Sequence, residues 1–108
     1  MIPAAEQRQD FMKFVHITFH FEYGDVIEQI LDRHEIENYV RHYMCEGKDC
    51  DGKHYGTQVY PGSSTVVQAQ VPDEKLGDLL SDLKGFKDEK QAHRHLEAVV
   101  LPVEKRLE

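Results

Sequence analysis

Four side chains able to ligate a metal stand close together in this sequence. They are His42, Cys45, Cys50 and His54, in the pattern H-x2-C-x4-C-x3-H. Thiolate and imidazole are soft or borderline ligands, so the ion such a set would take is zinc or copper rather than magnesium or calcium. Gly47 and Gly52 would let the backbone fold the ligands inward, and Asp49 and Asp51 flank Cys50 as carboxylates able to orient a ligand or replace one. The spacing is not that of a zinc finger, whose two close pairs are separated by roughly a dozen residues. The plainer alternative, two reduced thiols and two solvent-facing imidazoles, therefore stays open. A Cys/His nucleophile and base is a third reading, but the pattern supplies neither a third orienting residue nor an oxyanion hole, and the chain is expected not to be an enzyme.

These residues sit in the segment HYMCEGKDCDGKHYGTQVYPGSS, from His42 to Ser64, which also holds a Pro61-Gly62 turn. So long and turn-rich a connection inside a small domain is usually functional or disordered. The flanking patterns are regular. From Phe11 to Tyr23 apolar and polar residues alternate, with Val15, Ile17, Phe19 and Phe21 on one face and His16, Thr18 and His20 on the other, which predicts a half-buried strand. His16 and His20 are about 13 Å apart on such a strand, too far to share an ion, and read as polar cover. Gly24-Asp25 breaks it, and Asp25 with Glu28 predicts a helix N-cap, followed by Ile27, Ile30 and Leu31 at helical spacing up to about Glu35. Asn38 to Met44 is again strand-like.

Ser64 to Val71 is a β-branched run closed by Pro72-Asp73, where a second helix begins. Leu76, Leu79, Leu80 and Leu83 form its apolar stripe and Gly85 its expected stop; His95 to Val103 is the last strand. The order is βαββαβ. It predicts an α+β, ferredoxin-like domain over 1–108, a four-stranded antiparallel sheet with two helices on one face and a long loop between the second and third strands. The predicted core is Val15, Ile17, Phe19, Phe21, Ile27, Ile30, Leu31, Leu76, Leu79, Leu80 and Leu83. The other sheet face is too polar for a second helical layer and is expected to meet other subunits.

A net charge of −7, with 13 basic residues dispersed among 20 acidic ones, works against a nucleic-acid partner. No apolar run approaches a membrane span, and the start MIPAAEQRQD lacks the marks of a signal peptide, so no direct membrane insertion and a cytoplasmic location are expected.

With its topology, the long excursion between the second and third strands and the ending HLEAVVLPVE, the chain resembles the PII-like superfamily, which includes nitrogen-regulatory PII proteins and the trimeric CutA family. The resemblance implies a homotrimer that senses a small effector and controls a partner protein, a membrane transporter being one class of such partner, through the loop that corresponds to the family's T-loop. It also implies an adenine nucleotide between the second helix and the last strand. There PII proteins carry a G-D-G-K type phosphate cradle, and this chain reads LKGFKDEKQAHRH, with Lys84, Lys87 and Lys90 as phosphate contacts and Gly85 as a turn but without the glycine-rich nest. A structural or subunit-interaction module without effector is the alternative.

Overall fold

The computed structural model describes residues 12–49, 52–54 and 63–107, with 49 and 52–54 described by their backbone. Strand β1 (Met12–His20) leads through a 3-10 turn into helix α1 (Gly24–Arg33) and strand β2 (Asn38–Cys45). A short hairpin, β3 (Gly47–Asp49) and β4 (Gly52–His54), precedes β5 (Ser64–Pro72), helix α2 (Asp73–Glu89) and β6 (Glu97–Pro102). The main sheet is four-stranded and antiparallel in the order β2-β5-β1-β6, and the hairpin forms a separate two-stranded sheet. This is the ferredoxin-like arrangement that the alternation and the two amphipathic stretches predict.

One sheet face is sealed by the helices. Val15, Ile17 and Phe19 of β1 and Thr65, Val67, Ala69 and Val71 of β5 are buried there against Ile27, Ile30 and Leu31 of α1 and Leu79 and Leu83 of α2. Leu76 and Leu80 are only partly buried, packed on the edge of this core. Phe21 is not a core residue: it is 41% exposed. The ladder ends at His20, Phe21 donates its N–H to the Ser63 carbonyl at 3.0 Å, and the chain then coils into the 3-10 turn Phe21–Tyr23, which breaks the alternation.

Helix α1 begins at Gly24 with Tyr23 as its N-cap, and no side chain caps it. Asp25 lies in the first turn and faces Arg41 of β2, 3.5 Å from its guanidinium, instead of capping. A Cβ on Gly24 would meet that guanidinium at 1.9 Å, so the glycine is what lets Arg41 lie across the helix start. The helix closes through Glu35, whose φ of 56° is left-handed, with Ile36 N–H donating to the Leu31 carbonyl and Glu35 N–H to that of Asp32, both at 3.0 Å. This is a Schellman closure, and the burial of Ile36 beside Leu31 supplies its hydrophobic contact.

Helix α2 does not stop at Gly85. It runs to Glu89, because Phe86 extends the apolar stripe and stacks on His93 at 3.9 Å, with Tyr23 edge-on to both rings. His93, itself buried, donates through Nδ1 to the Phe86 carbonyl at 2.7 Å and so satisfies one of the last-turn acceptors. A glycine inside a helix costs about 1 kcal/mol, less than the burial of a phenylalanine returns. The last strand accordingly starts at Glu97, after the 3-10 turn Gln91–His93.

Candidate functional site

The open face of the sheet is laid out in three cross-strand rows. In the order β2, β5, β1, β6 they are Asn38, Gln70, Phe14, Leu101; then Val40, Gln68, His16, Val99; then His42, Val66, Thr18, Glu97. On the edge strands Val40, Val99 and Leu101 are each more than half exposed, at 57%, 52% and 51%, while Phe14, His16, Thr18, Val66, Gln68 and Gln70 on the two central strands are half-buried. In a chain with 31% charged residues, Glu97 alone of these row residues carries a formal charge. Charged side chains border the rows: Glu37 lines a cavity with Phe14 and Gln68, Arg106 one with Met12 and Gln70, and Glu46 and Lys48 one with Thr18 and Val66.

The inward side of β2 is different. Tyr39 donates to Asp32 at 3.0 Å and to Glu28 at 3.4 Å, and Arg41 pairs with Glu28 and lies 4.1 Å from the Tyr43 ring centroid. Burial, with the hydrogen bond to Asp32 and the negative charges of Asp32 and Glu28, pushes the Tyr39 phenol up to about 12. These contacts brace the strand just before the excursion leaves it.

The excursion is rooted in a bulge. The β2–β5 register shifts between His42 and Cys45, and Met44 within it has a φ of 58°. A non-glycine residue in the left-handed region is uncommon and costs about 1 kcal/mol or more. Cys45 thereby faces Ser64 and lines a cavity of about 120 Å³ together with Glu46 and Lys48 at the hairpin and Thr18, Val66, His95 and Glu97 of the sheet side.

Of the four candidate metal ligands, His42 and Cys45 share the open face without converging. The His42 imidazole reaches Gln68 Oε1 at 3.2 Å, back along the strand, while Cys45 Sγ sits 3.5 Å from the His42 carbonyl and 3.9 Å from that of Tyr43. The side chain of His54 and the whole of Cys50 and Asp51 lie outside what the structure describes. Among the described residues no group of three His, Cys, Asp or Glu side chains could hold a metal, so zinc or copper finds no assembled ligand set. His95 and Glu97, which the sequence pattern did not single out, face the same cavity as Cys45 only because β6 pairs with β1 in this register.

The candidate phosphate contacts are separated by the continuation of α2. Lys84 and Lys87 rim a groove of about 300 Å³ whose floor is Leu80, Leu83, Leu96 and Ala98, with Asp88 and Glu97 also at its edge. Lys84 is ion-paired to Asp88 at 2.6 Å. Gly85 lies on a different side of the helix, lining a cavity with Ile30, Arg33 and Phe86. Lys90 is the exposed C-cap.

No protein-family model and no curated protein matches the chain. Solved structures do. CPII, a nitrogen regulatory PII-like protein from Thiomonas intermedia K12 bound to ADP, AMP and bicarbonate, matches with a TM-score of 0.68 and 22% identity over 83% of this chain and 87% of that one. The chain has the PII-like fold. The apo form of CPII gives a TM-score of 0.65 at 21% identity, over 83% of this chain and 86% of that one. A putative PII-like signaling protein from Thermus thermophilus gives 0.60 at 14%, over 83% of each chain. On the PII-like fold the bulge at Met44, the hairpin β3–β4 and Ser63 frame the long excursion between the second and third strands of the main sheet. No helix among the described residues is long and apolar enough to cross a membrane.

Proposed function

We propose that this chain is a non-enzymatic regulatory protein of the PII-like kind. It assembles as a homotrimer through the open face of its sheet, takes an adenine nucleotide in the groove beside Lys84 and Lys87, and uses the β2–β5 excursion to alter its contact with a partner protein. The observation that carries the reading is the likeness, over 83% of the chain, to a PII-like protein described with ADP, AMP and bicarbonate bound. The groove suits such a ligand in kind, with an apolar floor for the base and two amines for phosphate. A phosphate would have to compete with Asp88 for Lys84, and the unbroken helix offers no nest of backbone N–H groups. Affinity should therefore be at the level of tens of micromolar or weaker, roughly −6 kcal/mol, and should fall with salt.

Native mass spectrometry and calorimetry with ADP test the proposal. A trimer is expected, with ADP affinity reduced about tenfold or more in Lys84→Ala/Lys87→Ala. A monomer would remove the assembly, and ADP affinity equal in wild type and double variant would remove the groove.

A further inference from the structure

The two ends of the excursion are fastened to each other by a side-chain contact. On the β2 side, Met44 has its Sδ 3.3 Å from Ser63 Oγ, and the hydroxyl donates to it. Ser63, at the return, is 4% exposed, and its carbonyl accepts the Phe21 N–H at 3.0 Å. A thioether is a weak acceptor, so the enclosed hydroxyl is held weakly.

Met44 is unusual in two further ways. Its backbone is left-handed, with a φ of 58°, in the bulge where the β2–β5 register shifts. Side chains other than those of Gly, Asn and Asp rarely adopt that conformation, and where it persists it is held by its surroundings. The residue is also 68% exposed, so its side chain is open to dissolved oxidants. Met12, by contrast, is half-buried on β1 opposite Pro72.

We propose that Met44 is a site of oxidation by peroxides, and that its sulfoxide unfastens the root of the excursion. In the reaction the peroxide O–O bond breaks, one oxygen bonds to Sδ and the other leaves as water or an alcohol; the thioether gives up two electrons and the peroxide takes them. The product is a larger, polar and chiral side chain. A separation of 3.3 Å leaves no room for an oxygen between Sδ and Ser63 Oγ, so the side chain withdraws into water. The enclosed hydroxyl then lacks an acceptor, which is costly, and the left-handed backbone loses a contact that holds it. Ser63 loosens, and with it the hydrogen bond from Phe21. The proposal depends neither on assembly nor on nucleotide binding.

Treatment of the full chain with hydrogen peroxide, followed by dithiothreitol to restore the thiols, tests it. Peptide mass mapping locates the added oxygen, and amide hydrogen exchange reads the consequence. Met44 should be oxidised about tenfold faster than Met12, and the Phe21 amide should afterwards exchange about tenfold faster. The Ile36 amide, bonded to the Leu31 carbonyl just before β2, should not change. In Ser63→Ala the Phe21 amide should exchange fast before any oxidant is added and respond little to it. Met44→Leu, which has no sulfur to oxidise, should show no response to peroxide at Phe21. Equal oxidation of Met12 and Met44 overturns the site. Oxidised Met44 with unchanged exchange at Phe21 overturns the unfastening, as does a peroxide response that survives in Met44→Leu.

Discussion

The two faces of the main sheet are built from alternate residues of the same strands, yet they follow different rules. Toward the helices, Val15, Ile17, Phe19, Val67 and Val71 are at most 2% exposed, and size and apolarity decide what fits. Away from the helices, Phe14, His16, Gln68, Val99 and Leu101 mix aromatic, imidazole, amide and aliphatic groups whose common property is the lack of fixed charge. The first face holds the monomer together. The second carries no part of the core and is the face through which the proposed assembly would form.

The largest expected effect comes from placing the same charge on neighbouring residues of β5. Val67→Asp puts an unpaired carboxylate in the core and should unfold the protein, costing more than about 4 kcal/mol. Val66→Asp, one residue away on the open face, should leave the denaturation midpoint of the monomer nearly unchanged and abolish the proposed assembly. Equal loss of stability in the two variants, measured in urea, would break the comparison between faces.

A smaller difference separates two adjacent leucines of α2. Leu79 is fully buried, and Leu79→Ala should cost about 2–5 kcal/mol; Leu80 is only partly buried beside the Lys84 groove, and Leu80→Ala should cost about half as much or less. The reverse order in chemical denaturation would mean that the groove side of α2 belongs to the core.

The smallest effects come from the polar margins of the helix-covered side, and pH exposes them. His34 Nε2 at 2.8 Å and Arg33 at 2.7 Å hold the Asp82 carboxyl below its usual value, the His34 hydrogen bond being the larger cause, with burial working against them. A lowered folded value means that the stability from this cluster is present above the ordinary carboxylate value near 4 and is lost as pH falls through the folded one. Wild type should exceed Asp82→Asn in stability at about pH 6, and the gap should close in strong acid. Tyr39 behaves oppositely. Its phenol, held up to about 12, ionises first in the unfolded chain, so stability drains away as pH rises from about 10 toward 12, and one tyrosine should titrate late in ultraviolet absorbance. An ordinary titration of all tyrosines would show that β2 is not braced against α1 in solution.

The parts of the fold written in local periodicity were legible in advance. Alternation from Phe11 to Tyr23 and the 27, 30, 31 and 76, 79, 80, 83 spacings predict a strand and two helices, since each pattern repeats with the geometry of its own element, and the strand itself runs Met12–His20. Element order then leaves few topologies, and the resemblance to PII-like proteins follows from it. The extent of α2 was not legible, because Gly85 signals an end only until Phe86 finds His93 and Tyr23, partners that stand in other elements. Nor could the four-residue metal pattern reveal that the His42 ring is engaged by Gln68, which is 26 positions away in sequence.

The sequence by itself determined which residues alternate, which stripe is apolar, the excess of acidic charge and the position of the long excursion. Only the tertiary structure decided that Val40, Gln68, His16 and Val99 form one row and that Glu97 stands at the end of the next, beside Thr18. It also decided that Lys84 and Lys87 part company with Gly85 around a continuous helix. The physical reason is that periodicity is a property of neighbours along the chain, whereas register is set by the joint packing of β2, β5, β1 and β6. A shift of one residue in that packing would turn every one of these side chains to the opposite face.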